Sequence, residues 1–81
     1  MDKYILYVKT SCPYCQQAED LLREEDKEIL IVPFDDSPII LEHMKWVYEH
    51  STVPIVFHVA DAGITFVGGY TELVAYLDGR R

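Results

Sequence analysis

Apolar and polar positions divide the chain into seven segments. Residues 4–8, Tyr-Ile-Leu-Tyr-Val, are apolar on both faces, which predicts a strand placed centrally in a sheet. Ala18, Leu21 and Leu22 then recur at helical spacing, predicting a first helix over 12–25 that ends in the solvated run Glu24-Glu25-Asp26-Lys27. Residues 29–34 read as a second strand; Pro33 has no N–H for a ladder, so this strand sits at an edge or ends early. Ser37-Pro38 opens a second helix, with Ser37 as cap and Pro38 at the first helical position. Leu41, Met44 and Tyr48 fall on one face of it, widened by Ile40 and Val47. Residues 55–59 and 64–67 read as third and fourth strands, and the short Asp61-Ala62-Gly63 connection makes them an antiparallel hairpin. Gly68-Gly69 breaks the last strand, and Thr71 caps a third helix that carries Leu73, Val74, Tyr76 and Leu77 and closes at Gly79. The order is βαβαββα, and its first strand–helix–strand unit is parallel and right-handed.

The chain has 81 residues, which predicts one domain over 1–81. A chain this short buries only about 60–65% of its unfolded surface, so the core is modest. Hydrophobic residues make up 49% of it, enough for a compact core without staples. The formal net charge of −7 argues against nucleic acid and against an anionic membrane surface as partners. A functional anion site would therefore be local, built from Lys9 and helix ends. The first apolar run is too short for a secretory signal, and no stretch approaches the roughly 20 apolar residues of a membrane span. The expected location is the cytoplasm, where a reducing environment suits a single cysteine pair.

That pair, Cys12 and Cys15, carries the chemistry. It lies in Lys-Thr-Ser-Cys-Pro-Tyr-Cys, residues 9–15, where a strand runs into a helix. Pro13 fits the first helical position, which makes Cys12 the N-cap. The Cys12 sulfur then faces unpaired backbone N–H groups and the positive end of the helix dipole, an environment that stabilises the reactive thiolate. Lys9 adds positive charge, and no acidic residue between Lys9 and Cys15 opposes it. Cys15 forms an i, i+3, i+7 set with Ala18 and Leu22 on the inward face. One sulfur exposed and activated, with a second held behind it, suits thiol–disulfide exchange. A zinc site would need two more ligands, and His43, His50 and His58 stand at no familiar ligand spacing. The three histidines read as solvated or packed residues, His58 sharing a sheet face with Val56.

Three motifs together, Cys12-Pro13-Tyr14-Cys15, Thr52-Val53-Pro54 and Gly68-Gly69-Tyr70-Thr71-Glu72-Leu73, resemble those of the glutaredoxins in order and approximate spacing. The resemblance spans essentially the whole chain. It implies a thioredoxin-like α/β fold: a four-stranded mixed sheet with three helices, placed on both faces. It also implies a glutathione-dependent thiol–disulfide oxidoreductase with no permanently bound cofactor and with glutathione as reductant. Cys12 would be the nucleophile and Cys15 the resolving thiol. Glutathione would lie along Lys9, Tyr14, Thr52, Val53, Pro54, Gly69, Thr71 and Glu72. In such proteins the matching proline is cis and presents the backbone of the preceding residue to the ligand; the matching third-helix start holds the γ-glutamyl end, with Glu72 meeting its amino group. The partners implied are glutathione and disulfide or glutathionylated proteins, ribonucleotide reductase among them, served by a monomer.

Two departures stand out. Ile55 follows Pro54 where relatives often carry a polar residue, and the second helix ends in Val47-Tyr48-Glu49-His50-Ser51 where they commonly place a basic or amide side chain. Lys9 is left as the main partner for the glycyl carboxylate. Two rival readings use the same cysteines. One is a thioredoxin-like carrier recharged by a reductase, disfavoured by the Pro-Tyr pair and by Thr71-Glu72. The other is a carrier of a glutathione-bridged iron–sulfur cluster held across a dimer, which would be coloured.

Overall fold

The computed structural model describes residues 2–9, 11–33, 42, 43, 46 and 53–79. Its elements are β1 (Lys3–Val8), α1 (Pro13–Glu24), β2 (Glu28–Pro33), β3 (Ile55–Ala60), β4 (Gly63–Gly68) and α2 (Tyr70–Asp78). They form a four-stranded mixed sheet in the order β2-β1-β3-β4. β1 pairs parallel with β2 and antiparallel with β3, and β3 pairs antiparallel with β4. The architecture is thioredoxin-like α/β. β1 is internal as its two apolar faces require, and β2, which ends on Pro33, lies at an edge.

Two helices have defined ends among the described residues, not the three expected. The expected second helix falls on a segment of which only Glu42, His43 and Trp46 are described, each with helical backbone. The rest of that expectation lies outside the described residues. α1 and α2 pack on one and the same face of the sheet, where Tyr4, Leu6, Ala18, Leu22, Val56, Leu73 and Leu77 form the core. The registers explain who meets whom: Tyr4 is opposite Ile29 and His58, and Leu6 is opposite Ile31 and Val56, so these side chains share the helix-covered face. Ile55 and Phe57 centre a smaller cluster on the other face, with Ile5, Tyr7 and Val53 against it.

The hairpin is tighter than the sequence suggests. Ala60 pairs with Gly63, leaving Asp61-Ala62 as a two-residue turn. Farther along, Val56 pairs with Gly68 while Phe57 pairs with Phe66, so Val67 is an extra residue in β4, a bulge. The bulge lets Val67 join the helix-side core while Phe66 meets Phe57 on the other face, with ring centroids 5.6 Å apart.

His58 is a packed residue. It is only 2% exposed and stacks on Tyr4 with ring centroids 4.5 Å apart. Its Nδ1 lies 2.6 Å from the Tyr76 hydroxyl, and its Nε2 lies 3.5 Å from the Asp2 carboxylate without forming a hydrogen bond. The pair ties β3 to α2.

Candidate active site

Cys12 is the N-cap of α1, as Pro13 dictates. Its backbone is extended (φ −109°, ψ 105°), and the Cys15 N–H donates to its sulfur at 3.2 Å. The sulfur thus occupies the place of a capping oxygen and satisfies one of the otherwise unpaired N–H groups of the first turn. No acidic residue stands in that turn. Ser11 makes the approach possible: its φ of 60° is left-handed, which swings the chain from β1 into the helix. Cys15 is buried with Ala18 and Leu22, as the i, i+3, i+7 spacing requires. The two cysteines are joined as a disulfide, with Cα atoms 5.2 Å apart.

Val53 and Pro54 meet this pair from the other side of the fold. The Val53–Pro54 bond is cis and Pro54 is fully buried. The Val53 carbonyl oxygen lies 3.8 Å from the Cys12 sulfur. The structure therefore joins two motifs 41 residues apart. Thr52 lies outside the described residues. Tyr14 is 59% exposed, and its ring faces that of Tyr70 at 6.0 Å. Tyr70 thereby brings the start of α2 beside the start of α1. Its place within Gly68-Gly69-Tyr70 was visible in the sequence, but its contact with Tyr14 was not.

The start of α2 differs from the expectation. Gly69, not Thr71, is the N-cap; Thr71 is the second helical residue and is exposed. Gly69 has no side chain to cap with, so Glu72 folds back and accepts from the Gly69 N–H at 2.7 Å. Gly68 must be glycine here. Its φ is +121°, and a Cβ on it would come within 2.8 Å of the Glu72 Cβ and Cγ atoms.

Beside the disulfide, on the α1 side, a cavity of about 490 Å³ is lined by Val8, Lys9, Ser11, Cys12, Pro13, Cys15, Gln16 and Glu19. Lys9 thus shares a wall with Cys12. The sequence motifs include neither Gln16 nor Glu19, although Glu19 is four residues past Cys15 and so one turn along the same helix face. Among the described residues, no group of three or more His, Cys, Asp or Glu side chains is placed to hold a metal ion.

The sequence model of the glutaredoxin family matches residues 4–61. The chain belongs to the glutaredoxin family. Solved glutaredoxins share its fold over nearly its full length. Glutaredoxin 1 from Francisella tularensis is 28% identical with a TM-score of 0.75, covering 99% of this chain and 96% of that one. The dithiolic glutaredoxin from Trypanosoma brucei brucei is 31% identical with a TM-score of 0.74, covering 98% and 79%. Reduced Escherichia coli glutaredoxin is 27% identical with a TM-score of 0.69, covering 95% and 94%. No curated protein sequence matches the chain significantly. Family membership and the paired cysteines make this glutaredoxin a thiol–disulfide oxidoreductase.

Proposed function

We propose that this glutaredoxin uses glutathione to reduce protein disulfides and glutathione mixed disulfides. The observation that carries the reading is the placement of the Cys12 sulfur, at the start of α1 and 3.8 Å from the Val53 carbonyl, with Tyr14, Tyr70 and the start of α2 beside it. In the reduced protein the Cys12 thiolate attacks the sulfur of a target disulfide. One S–S bond breaks, a mixed disulfide forms on Cys12, and the departing thiolate takes a proton from solvent. The Cys15 thiolate then attacks Cys12, forming the internal disulfide and releasing the second target thiol. Two glutathione molecules return the pair to dithiol and leave as glutathione disulfide. A glutathione mixed disulfide takes the shorter route, in which a second glutathione attacks the Cys12 adduct directly.

Glutathione in this reading is an extended peptide on the Val53 backbone, next to Thr52 and Pro54, with the Tyr14 ring over it. Lys9 on the cavity wall pairs with its glycyl carboxylate. The γ-glutamyl end sits at Gly69 and Thr71, and the Glu72 oxygen not engaged by Gly69 meets its amino group. The test is a coupled assay with glutathione, glutathione reductase and a small glutathione mixed disulfide. Lys9→Ala and Thr71→Ala should each raise the apparent KM for glutathione, since a charge-assisted hydrogen bond contributes roughly 1.5–3 kcal/mol. Unchanged constants in both variants would move the glutathione site elsewhere.

A further inference from the structure

Reading charge along residues 9–15 leaves Cys12 and Cys15 with one charged neighbour, Lys9. Folding adds a second of opposite sign. Lys9, from the end of β1, and Glu19, from the second turn of α1, are the two charged residues among those lining the cavity beside the disulfide. None of its lining residues comes from β3 or α2. Lys9 precedes Cys12 by three residues in the chain. Glu19 stands four residues beyond Cys15 on the helix, a spacing that puts Cβ atoms about 5–6 Å apart.

The Glu19 side chain is 25% exposed and is fixed by Arg23 in an unsymmetrical way. Arg23 Nε and Nη2 both donate to the same oxygen, Oε1, at 3.2 and 2.7 Å. The second carboxylate oxygen is not used by this pair. Arg23 itself is 60% exposed and lies outside the cavity lining, so it screens Glu19 from the solvent side.

We infer that Glu19 is a positioning residue for proton and electron chemistry at the cysteine pair: its carboxylate keeps the reduced Cys15 as a thiol, Lys9 and the helix start favour the thiolate on Cys12, and Arg23 attenuates Glu19. A negative charge beside a thiol disfavours ionisation, and a positive charge or a helix N-terminus favours it. The cavity therefore carries a gradient that confines the nucleophile to Cys12. It also acts on the redox equilibrium. Stabilising the reduced form of such a pair makes the disulfide a stronger oxidant. That stabilisation comes from the Cys12 thiolate, and the Glu19 charge in the same cavity opposes this thiolate as well, so Glu19 makes the dithiol the better reductant.

This inference rests on the thiol–disulfide chemistry proposed above, not on where glutathione binds. Its test measures two quantities. One is the pH dependence of alkylation of Cys15 in the Cys12→Ser protein; the other is the dithiol–disulfide ratio of the two-cysteine protein in defined glutathione buffers. Glu19→Gln should lower the Cys15 inflection and shift the redox equilibrium toward dithiol, each by about threefold for a partly screened charge at this separation. Glu19→Asp, which keeps the charge, should return both toward the parent values. Arg23→Gln should move both the other way, because it leaves the carboxylate unscreened. Loosening of α1 would move the Glu19→Gln and Arg23→Gln proteins in the same direction, and that result overturns the inference. So does an unchanged Cys15 inflection in Glu19→Gln. Failure of the glutathione reading would appear differently, as an inactive coupled assay with the opposed shifts intact.

Discussion

The starts of α1 and α2 lie side by side, joined by Tyr14 and Tyr70, yet they are finished in opposite ways. α2 begins on a glycine and closes itself: Glu72 takes the Gly69 N–H, and an acidic group stands in the first turn. α1 has no acidic group in its first turn and is capped only by the Cys12 sulfur. A helix start favours whatever anion reaches it first. At α2 that anion is a permanent carboxylate; at α1 it is a thiolate that exists only when the enzyme is reduced. Reactivity therefore depends less on having a helix N-terminus than on leaving one unfilled.

The cysteines give the largest expected break in this comparison. Cys12→Ser should abolish every exchange activity, because the remaining thiol is buried on the inward face of α1. Cys15→Ser should keep turnover of small glutathione mixed disulfides while losing reduction of protein disulfides that need both thiols. Running both variants in both assays checks this, with mass spectrometry locating a glutathione adduct on Cys12 of the Cys15→Ser protein. An adduct on Cys15 of the Cys12→Ser protein would reverse the assignment.

Gly68→Ala comes next. Its Cβ would press on Glu72 at 2.8 Å and sit at φ +121°. The expected loss is about 1–3 kcal/mol in denaturant unfolding. Smaller still is Glu72→Ala, which removes the cap of α2 at about 1 kcal/mol. Glu72→Gln keeps an acceptor for Gly69 but loses the charge. If Glu72 serves the ligand as well as the helix, Glu72→Gln should hold its stability and still raise the KM for glutathione. The smallest effect is Ser11→Gly. Relieving a left-handed serine should stabilise the fold by at most about 1 kcal/mol, read as a higher denaturant midpoint, and leave thiol acidity unchanged.

Much of this was legible in the sequence because it is local. Pro13 fixes where α1 begins and hence that Cys12 caps it. The Cys15–Ala18–Leu22 spacing sets which sulfur is buried, and Pro33 confines β2 to an edge. What escaped depends on how segments meet. Thr71 reads as a cap because its side chain can cap, whereas the cap in the fold is Gly69, served by a carboxylate three residues on. The Val67 bulge leaves no trace in Ile-Thr-Phe-Val, because it is a property of the β3–β4 register. Glu19 escapes a reading of charge along residues 9–15, because the helix folds a later carboxylate into the same cavity.

Activation of Cys12 rests on the unfilled start of α1, and the titration of Cys12 tests it most directly. Iodoacetamide alkylation of the reduced Cys15→Ser protein, followed against pH, reports that thiol alone. The helix terminus and Lys9 should bring the inflection well below the free-cysteine value of about 8.5. An inflection at that free value would mean that the start of α1 does not activate its cap, and the contrast with α2 would lose its chemical meaning.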